Sequence, residues 1–294
     1  MSPRVVGIGE VLWDLLPTGP QFGGAPANVA IHAAALGGQG TLVSAVGTDD
    51  AGVAARQRLE EADVRQQAVA TLRDHPTGVV RVTLDAAGHP SYDIATGSAW
   101  DAIPWTSQVA DVVARAEAVC FGSLAQRSAV SRATIRRAMA EARGAAWRLF
   151  DVNLRQAWYD AEVLDMSLRL ANAVKLNDEE LPVVARLCGI AGATEDAQLH
   201  GLLERYDLAL AALTRGPRGA TLLTPAARVT ALAPATRVAD TIGAGDAFTA
   251  ALLVGLLREA PLTEVAARAN AVAAYVCSQA GATPPLPGAL RWTA

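Results

Sequence analysis

The 294-residue chain carries 25 basic and 29 acidic side chains, which gives a formal net charge of −4 at pH 7. Because nucleic acids are bound by clustered positive charge, this balance argues against a nucleic-acid-binding protein. No Ser/Pro-rich linker or charge block divides the chain, so we predict one domain spanning residues 1–294. The three cysteines are widely spaced and lack C-x-x-C pairing, which indicates free thiols in a reducing compartment. With no apolar leader and no run long enough to span a membrane, the protein is predicted to be cytoplasmic and free of membrane contact.

The first third of the chain predicts a strand, a helix and a β-hairpin. Residues 4–13 indicate one buried strand, and its glycines fail the dinucleotide-binding fingerprint because Leu12 replaces the third one. Residues 23–36 predict a helix with a proline in its first turn. Residues 77–94 alternate apolar and polar side chains around a turn at 85–88, which predicts the hairpin.

From residue 117 onward, strand and helix patterns alternate, as is typical of a parallel sheet with helices on both faces. The predicted strands are 118–121, 147–150, 173–176 and 208–213. Ligands of such sheets collect at the carboxyl ends of the strands. The residues that follow these strands are therefore candidate site residues.

The most informative stretch is D-T-I-G-A-G-D-A-F at residues 240–248. It lies between a strand-like segment at 228–238 and a long apolar helix pattern that runs from Asp246 to about residue 257. Its two glycines let the backbone turn sharply where the helix begins, so that several N–H groups converge on one point and attract an anion. Asp246 would stand beside that anion and accept a proton from an attacking hydroxyl group. Taken alone, the alternative of a tight turn with Asp246 as a helix cap carries equal weight.

This stretch resembles the D-T-x-G-A-G-D-x-F signature of the ribokinase-like (PfkB-type) carbohydrate kinases, and the chain is most similar to fructokinases. The resemblance implies an α/β fold with a central, mostly parallel sheet, helices on both faces and a small β-sheet lid. The lid would be formed by residues of about 14–23 and 77–100. In this family the residue corresponding to Asp246 is the catalytic base. The backbone of Gly243, Ala244 and Gly245 forms the anion hole.

Further motifs of the family occur in the expected order. The sugar-binding positions implied by the resemblance are Asp14, Gly24, Asn28, Arg155 and Asp246. Each has a plainer interpretation: Asp14 as a solvated turn residue, Asn28 as a helix-start residue and Arg155 as a partner in a surface ion pair. Aromatic side chains near the lid, Trp13, Tyr92 and Trp100, would either line the pocket or pack the lid.

The nucleotide would be bound by an N-x-x-E element, a T-x-G-x-x-G loop and a late helix. The residues implied are Asn177, Thr214, Gly216, Gly219, Gly245 and Asn270. Glu180 of the N-x-x-E element would hold Mg²⁺ through water, although an acidic first turn that complements a helix dipole is the plain alternative. The resemblance also leaves K⁺ as an option at Asp240 and the backbone of Ile242. No P-loop sequence occurs in the chain.

We therefore predict an ATP- and Mg²⁺-dependent enzyme that phosphorylates a primary hydroxyl of a small sugar. Fructose ranks first, because Asp14, Asn28 and Asp246 suit the hydroxyls of a neutral ketohexose. The alternatives are 2-keto-3-deoxygluconate, whose carboxylate would pair with Arg155, and another sugar or a nucleoside. A relative that binds sugar without catalysis is the alternative from a different class, and Asp246 together with the anion-hole glycines argues against it. A homodimer formed through the lid is left open.

Overall fold

The computed structural model describes residues 2–84 and 90–292 of the chain. The hairpin turn predicted at 85–88 lies outside these residues. The described strands are β1 Arg4–Ile8, β2 Leu12–Leu16, β3 Gly19–Gly23, β4 Gln39–Gly47, β5 Arg65–Leu72, β6 Gly78–Leu84, β7 Pro90–Ile94, β8 Ala118–Phe121, β9 Trp147–Asp151, β10 Ala173–Asn177, β11 Leu210–Thr214, β12 Ala220–Leu223 and β13 Arg228–Ala231. The described α-helices are α1 Ala25–Ala35, α2 Asp50–Glu61, α3 Ser107–Arg115, α4 Ala129–Glu141, α5 Ala161–Leu170, α6 Glu180–Leu187, α7 Glu195–Tyr206, α8 Ala244–Leu257 and α9 Leu262–Cys277.

The large sheet has nine strands in the order β13-β12-β11-β10-β9-β8-β1-β4-β5. Its seven strands from β11 to β5 pair in parallel, and β12 and β13 are added antiparallel at one edge. Parallel strands covered on both faces need apolar side chains on both sides, and β8 is accordingly buried along its whole length. The predicted central, mostly parallel sheet is confirmed.

Helices cover both faces of this sheet. One apolar core contains buried side chains of α3, α4, α5, α6 and α7, among them Ile135 and Leu164. The core on the opposite face contains side chains of α1, α8 and α9, among them Phe248 and Val272. Helix α8 is buried along most of its length, which explains why its sequence is almost uniformly apolar.

The prediction of a single strand over residues 4–13 is wrong. The chain leaves the large sheet after Ile8, and β2 begins at Leu12 in a separate four-stranded sheet with the order β3-β2-β6-β7. Both halves are rich in apolar residues, so the sequence pattern carries no mark of the change of sheet. Asp14 consequently lies inside a strand of this second sheet, which we call the small sheet, and not in a turn.

The small sheet contains the predicted hairpin, whose strands β6 and β7 pair antiparallel. Strand β2 joins it by parallel pairing with β6. Residues 99 and 100, the end of the segment that we assigned to the lid, belong to a short 3₁₀ helix, Ala99–Ala102, outside the small sheet. A homodimer through the small sheet stays a prediction.

Two remaining expectations concern the ends of elements and the cysteines. Strand β13 ends at Ala231, whereas strand-like sequence continues to about residue 238. All three cysteines are free thiols, as predicted. Among the helices of the described residues, none combines the length and the apolar character that a membrane crossing requires.

Candidate active site

A cavity of about 450 Å³ lies between the carboxyl ends of the large sheet and the small sheet. It brings together eight of the residues predicted to form the site: Asp14, Gly24, Asn28, Arg155, Ile242, Gly243, Gly245 and Asp246. These residues come from parts of the chain more than 200 positions apart. Convergence of polar groups at this edge of a parallel sheet is the usual arrangement of a ligand site in such folds.

The start of α8 has the backbone geometry expected of an anion hole. Gly243 precedes the helix with φ of 78°, a left-handed conformation that glycine adopts readily. A Cβ atom at this position would lie 2.3 Å from the carbonyl oxygen of Ala282, so a side chain is also excluded by space. The first N–H groups of the helix lack partners within the helix and carry the positive end of its dipole. This end of α8 can therefore stabilise a negatively charged group.

Asp246 lies in the first turn of α8 and is buried. Its Oδ2 accepts a hydrogen bond of 2.8 Å from the Nδ2 of Asn28 on α1. Burial, and next the nearby Asp151 carboxylate, raise the pKa of Asp246 to about 7. A carboxylate with a pKa near neutrality suits general base chemistry, because it takes up a proton readily and still ionises at neutral pH.

Two buried acceptor atoms of residues that line the cavity have no hydrogen-bond partner among the described residues. They are Oδ1 of Asn28 and Oε2 of Glu10. Because burying an acceptor without a partner costs free energy, such atoms at a cavity wall are available to a ligand hydroxyl. Asp14 completes this wall, and burial raises the pKa of its carboxyl to about 6. Gly24 caps the N-terminus of α1 next to it.

Arg155 lies in the loop that follows β9 and lines the cavity. Its Nη1 donates 3.2 Å to the carbonyl of Leu154, so no ion pair fixes it among the described residues. The loop contains two non-glycine residues with positive φ, Asn153 at 42° and Gln156 at 50°. Residues held in this uncommon conformation cluster at functional sites. Arg155 thus lies at the cavity in a turn with two uncommon backbone conformations.

Glu180 opens α6, and its carboxylate is held by two backbone N–H groups. Oε1 accepts from Leu154 at 2.9 Å and Oε2 from Asn177 at 2.9 Å. Asn177 is the last residue of β10, and its Oδ1 accepts from the backbone of Glu180 at 2.8 Å. The N-x-x-E element is therefore a reciprocal clamp that joins the ends of β9 and β10, in addition to any role in metal binding.

The predicted nucleotide loop connects β11 to β12. Thr214 ends β11, Gly216 begins a short 3₁₀ turn and Gly219 follows it with φ of 80°. Asn270 on α9 is buried, and its Nδ2 donates 3.0 Å to the carbonyl of Ala231. None of these residues lines the cavity described above, so their part in nucleotide binding stays a prediction.

Asp240 joins the backbone of Ile242, which is expected to bind a monovalent cation, to a second segment at residues 281–282. Its Oδ1 accepts 3.0 Å from the N–H of Ile242, and its Oδ2 accepts 3.2 Å from that of Gly281. The next residue, Ala282, has its carbonyl 2.9 Å from Nε2 of His32 on α1. Burial lowers the pKa of His32 to about 4, so the ring is neutral at pH 7. Helix α1 and both segments thus form one bonded unit.

Sequence reasoning missed a buried ion pair beneath the cavity. Lys175 on β10 donates 3.0 Å to Asp151 at the end of β9, and Thr249 on α8 donates 2.7 Å to the other oxygen of Asp151. The only available signal was a single lysine inside an otherwise apolar strand.

Of the two roles left open for the aromatic side chains, Trp13 and Trp100 take packing and do not line the cavity. Trp13 packs edge-on against Phe22 with centroids 5.5 Å apart, and its Nε1 donates to the carbonyl of Ala51. Trp100 is fully buried beneath the Arg127 guanidinium. The apolar lining comes instead from aliphatic residues such as Leu12 and Leu124. The side chain of Tyr92 lies outside the described part of the structure.

Comparison with known proteins agrees with this geometry. A family model described as pfkB family carbohydrate kinase matches residues 18–289. A fructokinase of Salmonella typhimurium is 32% identical over 91% of this chain and 89% of that protein. An aminoimidazole riboside kinase of Salmonella typhimurium is 30% identical over 95% of this chain and 91% of that protein. The crystal structure of a fructokinase from Vibrio cholerae in fructose-, ADP- and calcium-bound form has a TM-score of 0.82 at 27% identity, covering 98% of this chain and 97% of that one.

The chain belongs to the pfkB family of carbohydrate kinases. Its fold is ribokinase-like, and the protein is an ATP-dependent sugar kinase. The resemblance inferred from residues 240–248 is thereby confirmed for family, fold and enzyme class.

Proposed function

We propose that this kinase transfers the terminal phosphoryl group of ATP to a primary hydroxyl of fructose. The observation that carries the proposal is the buried Asp246 carboxylate, which stands at the start of α8 and is hydrogen-bonded to Asn28 at 2.8 Å. One cavity is lined by the proposed base, by the glycines of the proposed anion hole and by Asn28, whose amide oxygen has no hydrogen-bond partner in the described part of the structure. A hydroxyl bound there can give its proton to Asp246 and donate or accept hydrogen bonds at the neighbouring groups.

In the proposed reaction Asp246 accepts the proton of the sugar hydroxyl as its oxygen bonds to the terminal phosphorus. The bond between that phosphorus and the bridging oxygen breaks, and ADP leaves with the bridging oxygen. The charge on the transferred group is stabilised by the N–H groups of Gly243, Ala244 and Gly245 and by the dipole of α8. Asp246 afterwards loses the proton to solvent.

The charges around the cavity favour a neutral sugar over an acid sugar. Three carboxyl groups line it, those of Glu10, Asp14 and Asp246, and Arg155 is the one cationic side chain among the lining residues. The Arg155 charge acts on all three, lowering the pKa that burial raises in each. A substrate carboxylate would compete for this single arginine against three groups of its own sign. This favours fructose, with 2-keto-3-deoxygluconate as the alternative if Arg155 is free to turn toward the substrate.

The donor residues fit the ions that the family resemblance implies. Both oxygens of Glu180 keep lone pairs beside their backbone hydrogen bonds, so they can accept hydrogen bonds from the water shell of Mg²⁺. Within the described residues no group of three His, Cys, Asp or Glu is placed to hold a metal ion, and Mg²⁺ at nucleotide phosphates needs only one or two protein carboxylates. Bound Mg²⁺ would neutralise phosphate charge, and Asp240 would order the Ile242 segment around K⁺.

A coupled assay of ADP release tests the substrate. Fructose, 2-keto-3-deoxygluconate and aminoimidazole riboside are compared by kcat/KM, with Asp246→Asn protein as a control for contaminating kinases. We expect fructose to give the highest value. Arg155→Met should change the value for fructose by less than that for the acid sugar, because only the acid sugar has a carboxylate to pair. A clear preference for either of the other substrates would overturn the assignment of fructose.

A further inference from the structure

Lys175 is the only lysine in the chain, and it is buried with 4% of its surface exposed. Its ammonium donates 3.0 Å to Oδ1 of Asp151, which is 2% exposed. Oδ2 of Asp151 accepts 2.7 Å from Thr249, one helical turn beyond Asp246 on α8. This group, which we call the Lys175 network, joins two strands of the large sheet to the helix that carries the proposed base.

The ammonium of Lys175 also lies against the backbone of the anion hole. A Cβ atom built on Gly245 would be 3.0 Å from its Nζ, and no other heavy atom outside the glycine's own segment comes within 4 Å of that position. The space that a side chain of residue 245 would need thus borders on a buried cation. The glycine in the middle of the signature permits this close approach as well as the turn.

The stability of the fold alone does not explain why a buried ion pair is present at this position. Removing two charges from water costs several kcal/mol per ion, and well-packed apolar residues of similar volume are often as stable. The position of this pair, with the Lys175 ammonium against Gly245 of the proposed anion hole, provides a different reason. A fixed positive charge in a buried site acts strongly on negative charge that develops nearby.

We propose that Lys175 is a positioning residue of phosphoryl transfer, which supplies a buried positive charge beneath the anion hole and is held there by Asp151. The inference rests on the proposed roles of Asp246 and of the 243–245 backbone. In this arrangement Asp151 has two functions. It compensates the burial of Lys175, and it bonds Thr249 so that α8 keeps its place relative to the sheet.

Four groups around the base, two of them from the Lys175 network, shift the pKa of Asp246. These groups are Asn28 on α1, Asp151 on β9, Lys175 on β10 and Arg155 in the loop after β9. Asp151 raises the pKa of Asp246, whereas Asn28, Lys175 and Arg155 lower it. Cys120 on β8 is a neutral neighbour, because burial keeps the pKa of its thiol well above the usual range. Loss of Lys175 should therefore raise the pKa of Asp246, and loss of Asp151 should lower it.

Three variants test the proposal: Lys175→Met, Asp151→Asn and the double variant. Each is assayed for kcat, for the KM of ATP and for the pH dependence of kcat/KM, with the best sugar of the substrate panel. Lys175→Met should lower kcat by roughly 10- to 100-fold and change the KM of ATP less than about threefold, as expected for a charge used in the transition state. The acid limb of its kcat/KM profile should shift to higher pH by about one unit, and the acid limb of Asp151→Asn should shift to lower pH.

The double variant replaces both charges with neutral groups of similar size and so avoids an unpaired buried charge. It tests the proposal even if Lys175→Met fails to fold, since its kcat should stay at least about tenfold below wild type while the acid limb moves less than in either single variant. A double variant with kcat within about twofold of wild type would overturn the proposal. Acid limbs that shift together, or not at all, in the folded single variants would do so too.

Asp101→Asn provides the control for loss of a buried ion pair. Asp101 accepts 2.8 Å from Arg127, with both side chains almost entirely buried, and it belongs to neither the cavity lining nor the Lys175 network. We expect it to lower the melting temperature and to leave the acid limb in place. The Asp246→Asn variant separates the two hypotheses. If it keeps full activity, the proposed mechanism fails. If it is inactive while Lys175→Met behaves like the control, only the further inference fails.

Discussion

The carboxyl end of the large sheet and the small sheet face the same cavity but are built differently. At the end of the large sheet Asp246, Asp151 and Lys175 are buried and bonded across elements, Asp246 to Asn28 and Asp151 to both Lys175 and Thr249. Arg155, in the loop after β9, is the exception, since it is exposed and bonds to the adjacent Leu154. The small sheet contributes mainly aliphatic side chains to the cavity, with Asp14 as its one charged residue there. Its hairpin strands also carry exposed charges such as Asp93.

This difference indicates that the two sheets contribute differently to catalysis and to substrate binding. Groups that must hold a geometry to within fractions of an ångström are best carried by rigid, interlocked elements. A sheet with few bonds to the rest of the protein can close over a ligand and select its shape. We therefore expect substitutions on the large sheet to affect kcat and substitutions on the small sheet to affect KM for the sugar.

The largest effect is expected at Asp246. Asp246→Asn removes the proton acceptor and keeps the size of the side chain, so kcat should fall by roughly 10²- to 10⁴-fold while the binding of ATP and sugar changes little. Stopped assays of ADP formation measure the first quantity, and calorimetric titration the second. Near-normal turnover in the purified variant would remove Asp246 from the mechanism.

The wild-type pH profile adds a check on the same residue. Because burial raises the pKa of Asp246 to about 7, the base is half protonated near neutrality. Only the ionised form accepts the substrate proton, so kcat/KM should rise as pH rises through about 7. A profile that is flat from about pH 5 to pH 8 would contradict this assignment of the base.

The next effect is expected on the small sheet. Asp14→Asn should raise KM for the sugar roughly tenfold with kcat changed by less than about threefold, because in the proposed complex the side chain would contact a hydroxyl that does not react. Asp93→Asn on β7 of the same sheet is the matched control, since this residue is exposed and does not line the cavity. A loss confined to kcat in Asp14→Asn would break the proposed division between the sheets.

Much of this arrangement is predictable from sequence, and the reasons are local. Strand β8 was predicted with its observed ends, because a short apolar run between polar turns leaves few alternatives. The start of α8 was identifiable from the spacing of its glycines, which a helix N-terminus at an anion site requires. These features depend on residues adjacent in the chain.

The features that were missed depend on contacts between distant residues. Lys175 and Asp151 are 24 positions apart in the sequence, and Asp151 and Thr249 are 98 positions apart. No local sequence pattern therefore predicts that they interact. Division of residues 4–13 between two sheets was invisible because both parts are apolar. Strand β5 was not predicted, since it is mixed in polarity and gains its partners only beside β4.

A smaller effect is expected at Glu180, where the chemistry and the fold of the large sheet overlap. Glu180→Gln should raise the Mg²⁺ concentration for half-maximal rate several-fold, because a neutral amide is a weaker acceptor for metal-bound water. It should also lower the melting temperature, since an amide cannot accept from both Leu154 and Asn177. A lower melting temperature with an unchanged Mg²⁺ titration would leave Glu180 with its structural role alone.

The smallest effect is expected in the mobility of the small sheet itself. Residues 17–18 form an exposed turn between β2 and β3, and such turns are preferred sites of proteolysis. If the small sheet closes over the cavity, cleavage there by proteinase K should slow a few-fold when sugar and a non-hydrolysable ATP analogue are both bound. The exposed loop at 191–194, on the far side of α6, is the internal control and should be cut at an unchanged rate. Equal protection of both sites would indicate global stabilisation by ligand, and no protection at 17–18 would mean that the two sheets do not differ in the way their bonding implies.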